Sequence, residues 1–273
     1  MAYHRHGHDY FNDNKLTNAL NIPVRIEGAV DISLFPSQSL LINNITIGNP
    51  ELIEDISATI EVLQVDLIIS SLLKGEFKFN NPVLKKFNLN IDVSELEERK
   101  GYWIPIISHL HDFINVNKEN NLIEFNEVSI QQSNIFYTNT YNNSNKKISN
   151  INVDISTKNL IGPYKSSGFF QFGEIPIEMD VSVGSIGNSR PAGIRIDLNI
   201  KDTDEVLFFR GTHSTIDKNW ALKGSLELEG KNFFGLINKI SNEFNKSSPI
   251  IPQIESKYQL TSSVFHTSKL IQF

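Results

Sequence analysis

The sequence predicts a mainly β protein: an antiparallel sheet with a few short amphipathic helices. Three observations carry this. Apolar and polar residues alternate in many separate stretches, as they do in strands with one covered and one wet face. Turn signals rich in Gly, Pro and Asn fall between those stretches. Apolar residues at helical spacing are confined to a few short segments. Strands of parallel sheets are covered on both faces and read as continuous apolar runs, so the alternation favours antiparallel pairing.

The series opens with "VRIEGAVDISLFP". Val24, Ile26, Gly28, Val30, Ile32 and Leu34 fall on one face, and Arg25, Glu27, Ala29, Asp31 and Ser33 on the other. This predicts one strand of about eleven residues, roughly 36 Å long and about twice the usual length. In "PVLKKFNLNIDV" the apolar positions are Phe87, Leu89, Ile91 and Val93, and the polar ones Asn88, Asn90 and Asp92. "NINVDIS" sets Ile151, Val153 and Ile155 on one face. "EIPIEMDVSV" sets Ile175, Ile177, Met179, Val181 and Val183 against Glu178, Asp180 and Ser182. "GIRIDLNI" sets Ile194, Ile196, Leu198 and Ile200 against Arg195, Asp197 and Asn199. "WALKGSLELEG" sets Trp220, Leu222, Leu226 and Leu228 against Lys223, Glu227 and Glu229. The turn signals are "FPSQ", "GNPE", "NNP", "TYNNSNKK", "GSIGNSRPAG" and "KDTDE", and Tyr141–Asn145 reads as an exposed hairpin tip.

Helical spacing joins Phe233, Leu236, Ile237, Ile240 and Phe244 behind Asn232 as N-cap. It also joins Ile106, Leu110, Phe113 and Ile114, with Pro105 in the first turn. Asp13–Leu20 reads as a short helix and Ile69–Leu73 as a turn.

Composition narrows the function classes. A chain of 273 residues, 40% hydrophobic and 21% charged, can bury a core as one large β domain or two smaller ones. A net charge of −6 argues against nucleic acid as the main partner. The absence of cysteine excludes disulfides and thiolate metal sites, and fits both a reduced cytosol and a disulfide-poor periplasm. No stretch approaches the ~20 apolar residues of a membrane span. The most apolar run, Val65–Leu73, contains Asp66, and "MAYHRHGHDYFNDN" lacks the apolar core of a signal peptide.

Catalytic and metal-binding patterns are weak. His4, His6 and His8 could supply imidazoles, but the segment is terminal and Arg5 sits between two of them, so it reads as a tag or frayed end. His109 and His111, two apart on an expected helix, point to different faces, whereas a zinc pair needs a spacing of four. His213 and His266 stand alone. The sequence has no Gly-x-Ser-x-Gly elbow and no Gly-x-x-x-x-Gly-Lys phosphate loop. The glycines of "GNSRPAG" mark a loop, and the carboxylates of "SELEERK" read as a solvated face. No enzyme signature survives, and neither a cofactor nor a metal is expected.

Several segments, in order, resemble one family. "DYFNDNKLTNAL…VRIEGAVDISLFPSQSLLINNITIGNPE" is similar to the opening of AsmA-like bacterial envelope proteins, with Pro36, Leu40, Asn49 and Pro50 at the matching positions. "LIISSLLKGEFKFNNPVL" resembles the next segment through Leu72, Leu73, Gly75 and Pro82, and "GYWIPIISHL" a shortened helix start through Gly101 and Trp103. "EFNEVSIQQSNIFYTN", "ISNINVDISTKNL" and "SGFFQFGEIPIEMDVSVGS" resemble the middle, and "LFFRGTHSTIDKNWALKGSLELEGKNFFGLINKI" a later strand–Gly–strand–helix unit. The likeness runs from about residue 9 to 245. It implies a membrane anchor before Asp9, which this sequence lacks, so the chain reads as an N-terminal part of such a protein.

The resemblance implies a long, twisted sheet curled into an apolar groove, non-enzymatic, on the periplasmic face of the bacterial inner membrane. Such a groove carries phospholipid or another acyl lipid between membranes, or aids outer-membrane assembly. The expected lining is Val24, Ile26, Val30, Ile32, Leu34, Ile175, Ile177, Met179, Val181, Val183, Ile194, Ile196, Leu198 and Ile200. The expected organisation is a tag-like N-terminus over 1–8, a first groove segment over 9–120, a second over 121–248, and a tail or further repeat over 249–273. Burying ~300 Å² of acyl chain there is worth roughly 7 kcal/mol before the costs of binding. The other reading is a structural β module of the envelope whose apolar stripe is sealed and holds no ligand.

Overall fold

The computed structural model describes residues 23–35, 38–48, 56–68, 70, 79–93, 127–139, 144–157, 162–185, 191–216 and 219–231. These build one open sheet of twelve strands. The strands are β1 (Val24–Ile26), β2 (Val30–Ser33), β3 (Ser39–Ile47), β4 (Ile56–Leu67), β5 (Phe79–Val93) and β6 (Glu127–Asn139), followed by β7 (Ser144–Thr157), β8 (Tyr164–Phe172), β9 (Ile175–Val183), β10 (Ala192–Ile200), β11 (Val206–Ile216) and β12 (Asn219–Glu229). Order in the sheet follows order in the chain, except that β1 and β2 both pair with β3 and share one edge; β12 forms the other. Strand β5, before residue 120, pairs directly with β6, after it.

The sheet is mixed, and antiparallel pairing dominates it as the alternation favours. Strands β5 and β6 run parallel, and every other neighbouring pair is antiparallel. Parallel neighbours cannot be joined by a tight hairpin and need a crossover of a dozen residues or more. Residues 94–126 separate the two strands, which is ample. The expected helices over 13–20, 104–115 and 232–246 lie outside the described residues, as does the turn over 69–73 apart from Ser70.

The single strand expected over Val24–Leu34 is divided. Three residues, Glu27 to Ala29, face two of β3, Asn43 and Asn44, so β1 and β2 are separated by a bulge. Gly28 permits it: a Cβ there would lie 2.5 Å from the carbonyl oxygen of Asn43. The strand also ends at Ser33, leaving Leu34 outside it. The long strands lie elsewhere, and the longest, β5, has 15 residues. "NNP", expected as a turn, lies inside β5. Asn81 is left-handed there (φ 48°), and the β4–β5 register shifts beside it, between Gln64 and Asp66. Pro82, which has no N–H to give a ladder, is accommodated next to this irregularity. The hairpin expected near 141–145 is present between β6 and β7, with Ser144 and Asn145 already paired to Asn139 and Thr138.

A second irregularity organises the first half of the sheet. Asn44 in β3, Lys86 in β5, Gln132 in β6 and Asn150 in β7 all have φ of 51–52°. Each sits where the side-chain alternation slips by one residue. Leu40 and Ile42 before the slip and Ile45 after it belong to one buried cluster, as do Val65 and Ile60 of β4 on either side of Glu61. The left-handed residue absorbs one position and returns the following apolar residues to the same face. Polar side chains replace the interrupted ladder. Phe87 N–H donates to Ser133 Oγ (3.0 Å), Gln132 N–H to Asn152 Oδ1 (3.1 Å), and Asn134 Nδ2 to Asn88 Oδ1 (2.8 Å). Lys86 Nζ meets Glu61 Oε1 at 2.7 Å.

Two apolar clusters result. Val24, Leu40, Ile42, Ile45, Ile60 and Val65 are buried at the β1–β4 end, with Leu63, Leu84 and Phe87 packed on them. Ile175, Ile177 and Ile200 are buried farther along, against Phe170, Phe172 and Leu198.

Candidate functional site: the apolar face

Residues directly opposite one another in adjacent strands share a face. Followed strand to strand, the register draws one lane across the sheet from β2 to β12. It runs Val30, Ile42, Leu63, Leu84, Ile130, Val153, Gly168, Met179, Leu198, Leu207 and Leu228. Every position is apolar apart from Gly168. Ten inter-strand steps of ~4.8 Å make the lane about 48 Å long. A second lane, beyond the slip in alternation, holds Val24, Ile47, Ala58, Leu89, Ile135, Ile148, Phe172 and Ile175. A third runs Val128, Ile155, Ser166, Val181, Ile196, Phe209 and Leu226.

Of the fourteen lining residues expected from the sequence, Val24, Ile175, Ile177 and Ile200 are buried. Ile26, Val30, Met179, Val181, Val183, Ile194, Ile196 and Leu198 are half-buried, and Ile32 and Leu34 exposed. Val183, Val181, Met179 and Ile177 stand opposite Ile194, Ile196, Leu198 and Ile200 in turn. Val30 lies far from them in the sheet but in the same lane as Met179 and Leu198. Sequence reasoning missed Leu40, Ile42, Ile45, Ile60 and Val65, all buried, and the lane positions in β6 and β11. In β3 the signal was an apolar spacing of three across the polar pair Asn43–Asn44, from Ile42 to Ile45. Among the described residues no helix or second sheet packs on this face.

The opposite face is polar and charged. Asp180 and Asp197 stand directly opposite each other, a like-charge pairing that is unfavourable alone. Two guanidiniums offset it. Arg195 Nε donates to Asp197 Oδ2 (2.8 Å), and Arg210 Nη1 contacts Asp197 Oδ1. The Arg195 hydrogen bond, reinforced by Arg210, holds the Asp197 carboxyl below the usual carboxylate range. Arg210 also donates to the carbonyls of Ile196 (3.1 Å) and Phe209 (3.0 Å), and lies over the Phe208 ring at 5.4 Å.

His213 is on the apolar face, opposite Ala192 and four residues along β11 from Phe209. Burial lowers its pKa below the ordinary 6.5. The unfolded chain therefore takes up a proton below pH 6.5 that the folded chain resists, and stability falls as pH drops from 6.5 through the folded pKa. The melting temperature is expected to be lower at pH 5.5 than at pH 7.5, with His213→Gln removing that part of the dependence. Equal pH profiles for parent and variant would refute it. The contribution of Asp197 is lost only in a separate window, below pH 3.8.

Among the described residues no group of three or more His, Asp or Glu side chains is placed to hold a metal ion. His4, His6, His8, His109, His111 and His266 lie outside those residues. No described helix is long and apolar enough to cross a membrane. The fold and the face define a single-sheet β protein with one apolar and one charged surface. The chain matches no protein-family model, and a search of curated proteins returns no match.

Proposed function

We propose that the apolar face is a groove for acyl lipid, and that the chain is a non-enzymatic lipid-binding module of an AsmA-like envelope protein. In this reading it carries phospholipid between membranes or aids outer-membrane assembly, facing the periplasm from the inner membrane. The observation that supports it is the continuous lane from Val30 to Leu228, apolar at every position but Gly168, half-buried at Met179 and Leu198 with no described element over it. An apolar sheet face needs a cover. Its length, about 48 Å, is roughly three times the ~15 Å of hydrocarbon in one leaflet. Tails laid along it, with head-groups toward water, would satisfy both.

A second reading is a structural module with a sealed face. It draws on the β1–β4 end, where Leu40 is 2% and Val24 4% exposed. Native mass spectrometry of the purified chain separates the two. The groove reading expects phospholipid masses on the protein that disappear on delipidation and return on incubation with lipid. Lipid-free protein across repeated preparations and after incubation would overturn it.

A further inference from the structure

Large apolar side chains that are themselves exposed concentrate at one corner of the sheet. Ile32 is 52%, Leu34 62% and Phe35 87% exposed, and Phe169 alone joins them among the described residues. All three belong to the end of β2 and the first residues of the hairpin to β3. We infer that this tip seats in the surface of a lipid bilayer. The inference rests on the groove reading, because it makes the tip the point where the groove's terminal strand meets a membrane.

Four features favour a bilayer over a protein surface. First, Ile32 to Phe35 contains no charged side chain, and at ~3.3 Å per residue it spans about 10 Å. That matches the ~5–10 Å to which interfacial segments sink into the headgroup–acyl boundary. Second, the last carbonyl of the tip already has a partner, which counts in an apolar medium, where an unsatisfied polar group costs several kcal/mol. Ser33 Oγ donates to the Phe35 carbonyl (3.2 Å), and the returning arm is held by Leu67 N–H donating to the Gln38 carbonyl (2.9 Å).

Third, the tip is continuous with the apolar face. Ile32 is opposite Leu40, and Val30 packs on the buried cluster that includes Leu40 and Ile42. Hydrocarbon around the tip would therefore join the lane at its first position. Fourth, the charges just behind it are acidic: Asp31 lies within β2, and Asp66 is opposite Ser39. The surface it suits is consequently zwitterionic, held by apolar insertion and not by charge.

The absence of cysteine makes the test specific. Full-length Phe35→Cys carrying an environment-sensitive dye should shift to the blue, and become shielded from an aqueous quencher, on addition of phosphatidylcholine vesicles. The same dye at Glu178→Cys, on the charged face, should not respond. Parent protein should float with these vesicles in low and high salt alike. Leu34→Ser with Phe35→Ser should lower the partition about a hundredfold, a factor of ten for each side chain.

Unaltered flotation of the double variant overturns the inference, as does binding that requires phosphatidylglycerol and vanishes in salt. A dye shift that grows with protein concentration without vesicles, together with a dimer mass, would instead assign the tip to self-association and also overturn it. The two proposals fail separately. If the double variant no longer floats but still takes up detergent-solubilised lipid, both stand. If the tip effect is present and no lipid ever binds, only the groove reading falls. If lipid binds and vesicle contact is unchanged by the double variant, only the tip falls.

Discussion

On the proposed groove reading, replacing Met179 with Glu is expected to leave the sheet folded and to abolish lipid binding. Met179 stands in the central lane between Gly168 and Leu198. It is half-buried, and its neighbour on one side has no side chain. A carboxylate isolated in an apolar environment costs several kcal/mol unless it neutralises or reaches water. With no acyl chain over it, the Glu side chain can extend past Gly168 into solvent, so the melting temperature should fall by only a few degrees. With an acyl chain over it, that route is closed. Lipid affinity should then drop by about two to three orders of magnitude, as several kcal/mol implies. A sealed face gives the opposite pair of results: the charge has no exit, the domain unfolds, and the parent never carried lipid. Circular dichroism melts and native mass spectrometry of parent and variant decide between them. A variant that melts early, beside a parent that never binds lipid, would sink the groove.

How much of this was legible in the sequence depends on how each strand keeps its apolar side chains on one face. Strands β9 and β10 alternate without interruption, so Ile175 to Val183 and Ile194 to Ile200 could be read directly, and their register bears out the shared face. Strands β3, β4 and β6 do not. Leu40 and Ile42 are followed by Ile45, and Val128 and Ile130 by Ser133 and Ile135, so a period of two breaks in the middle. In β3 and β6 the break is a single left-handed residue, which Asn tolerates because its short polar side chain can bond locally; β4 slips at Glu61 without one. At Asn44 and Asn150 the residue type fits that role. At Lys86 and Gln132 nothing in the residue type announces it. The parallel β5–β6 pair was equally hidden, since both strands show half-wet alternation and only chain topology sets their direction. The bulge at Gly28 was read as a strand position because glycine fits an apolar stripe and a bulge equally well.

Ser133→Ala is expected to be the most destabilising small substitution in the sheet. Ser133 has no exposed surface. Its hydroxyl accepts from Phe87 N–H at 3.0 Å and donates to the Gln131 carbonyl at 2.9 Å. It does this where the β6–β7 register shifts on both sides of it, and where the parallel β5–β6 pairing skips from Lys85–Gln131 to Asn88–Asn134. Alanine leaves two backbone groups without a partner in a place water does not reach, at about 1–3 kcal/mol each. The sum, about 2–6 kcal/mol, corresponds to roughly 4–24 °C at about 2–4 °C per kcal/mol for a domain of this size. The control is Ser129→Ala, in the same strand, whose hydroxyl donates to Asp154 at 2.7 Å in an exposed pair; its loss should cost about 1 kcal/mol or less. Amide exchange adds a local readout: the Phe87 N–H should lose its protection in Ser133→Ala and keep it in Ser129→Ala. If both variants melt with the parent and the Phe87 amide stays protected, the hydroxyl is not what joins the two strands there. If the amide opens, the slip that sets Leu84 and Leu89 on the same face of β5 is held from β6 by one side chain. The two apolar lanes would then depend on a polar residue buried between them.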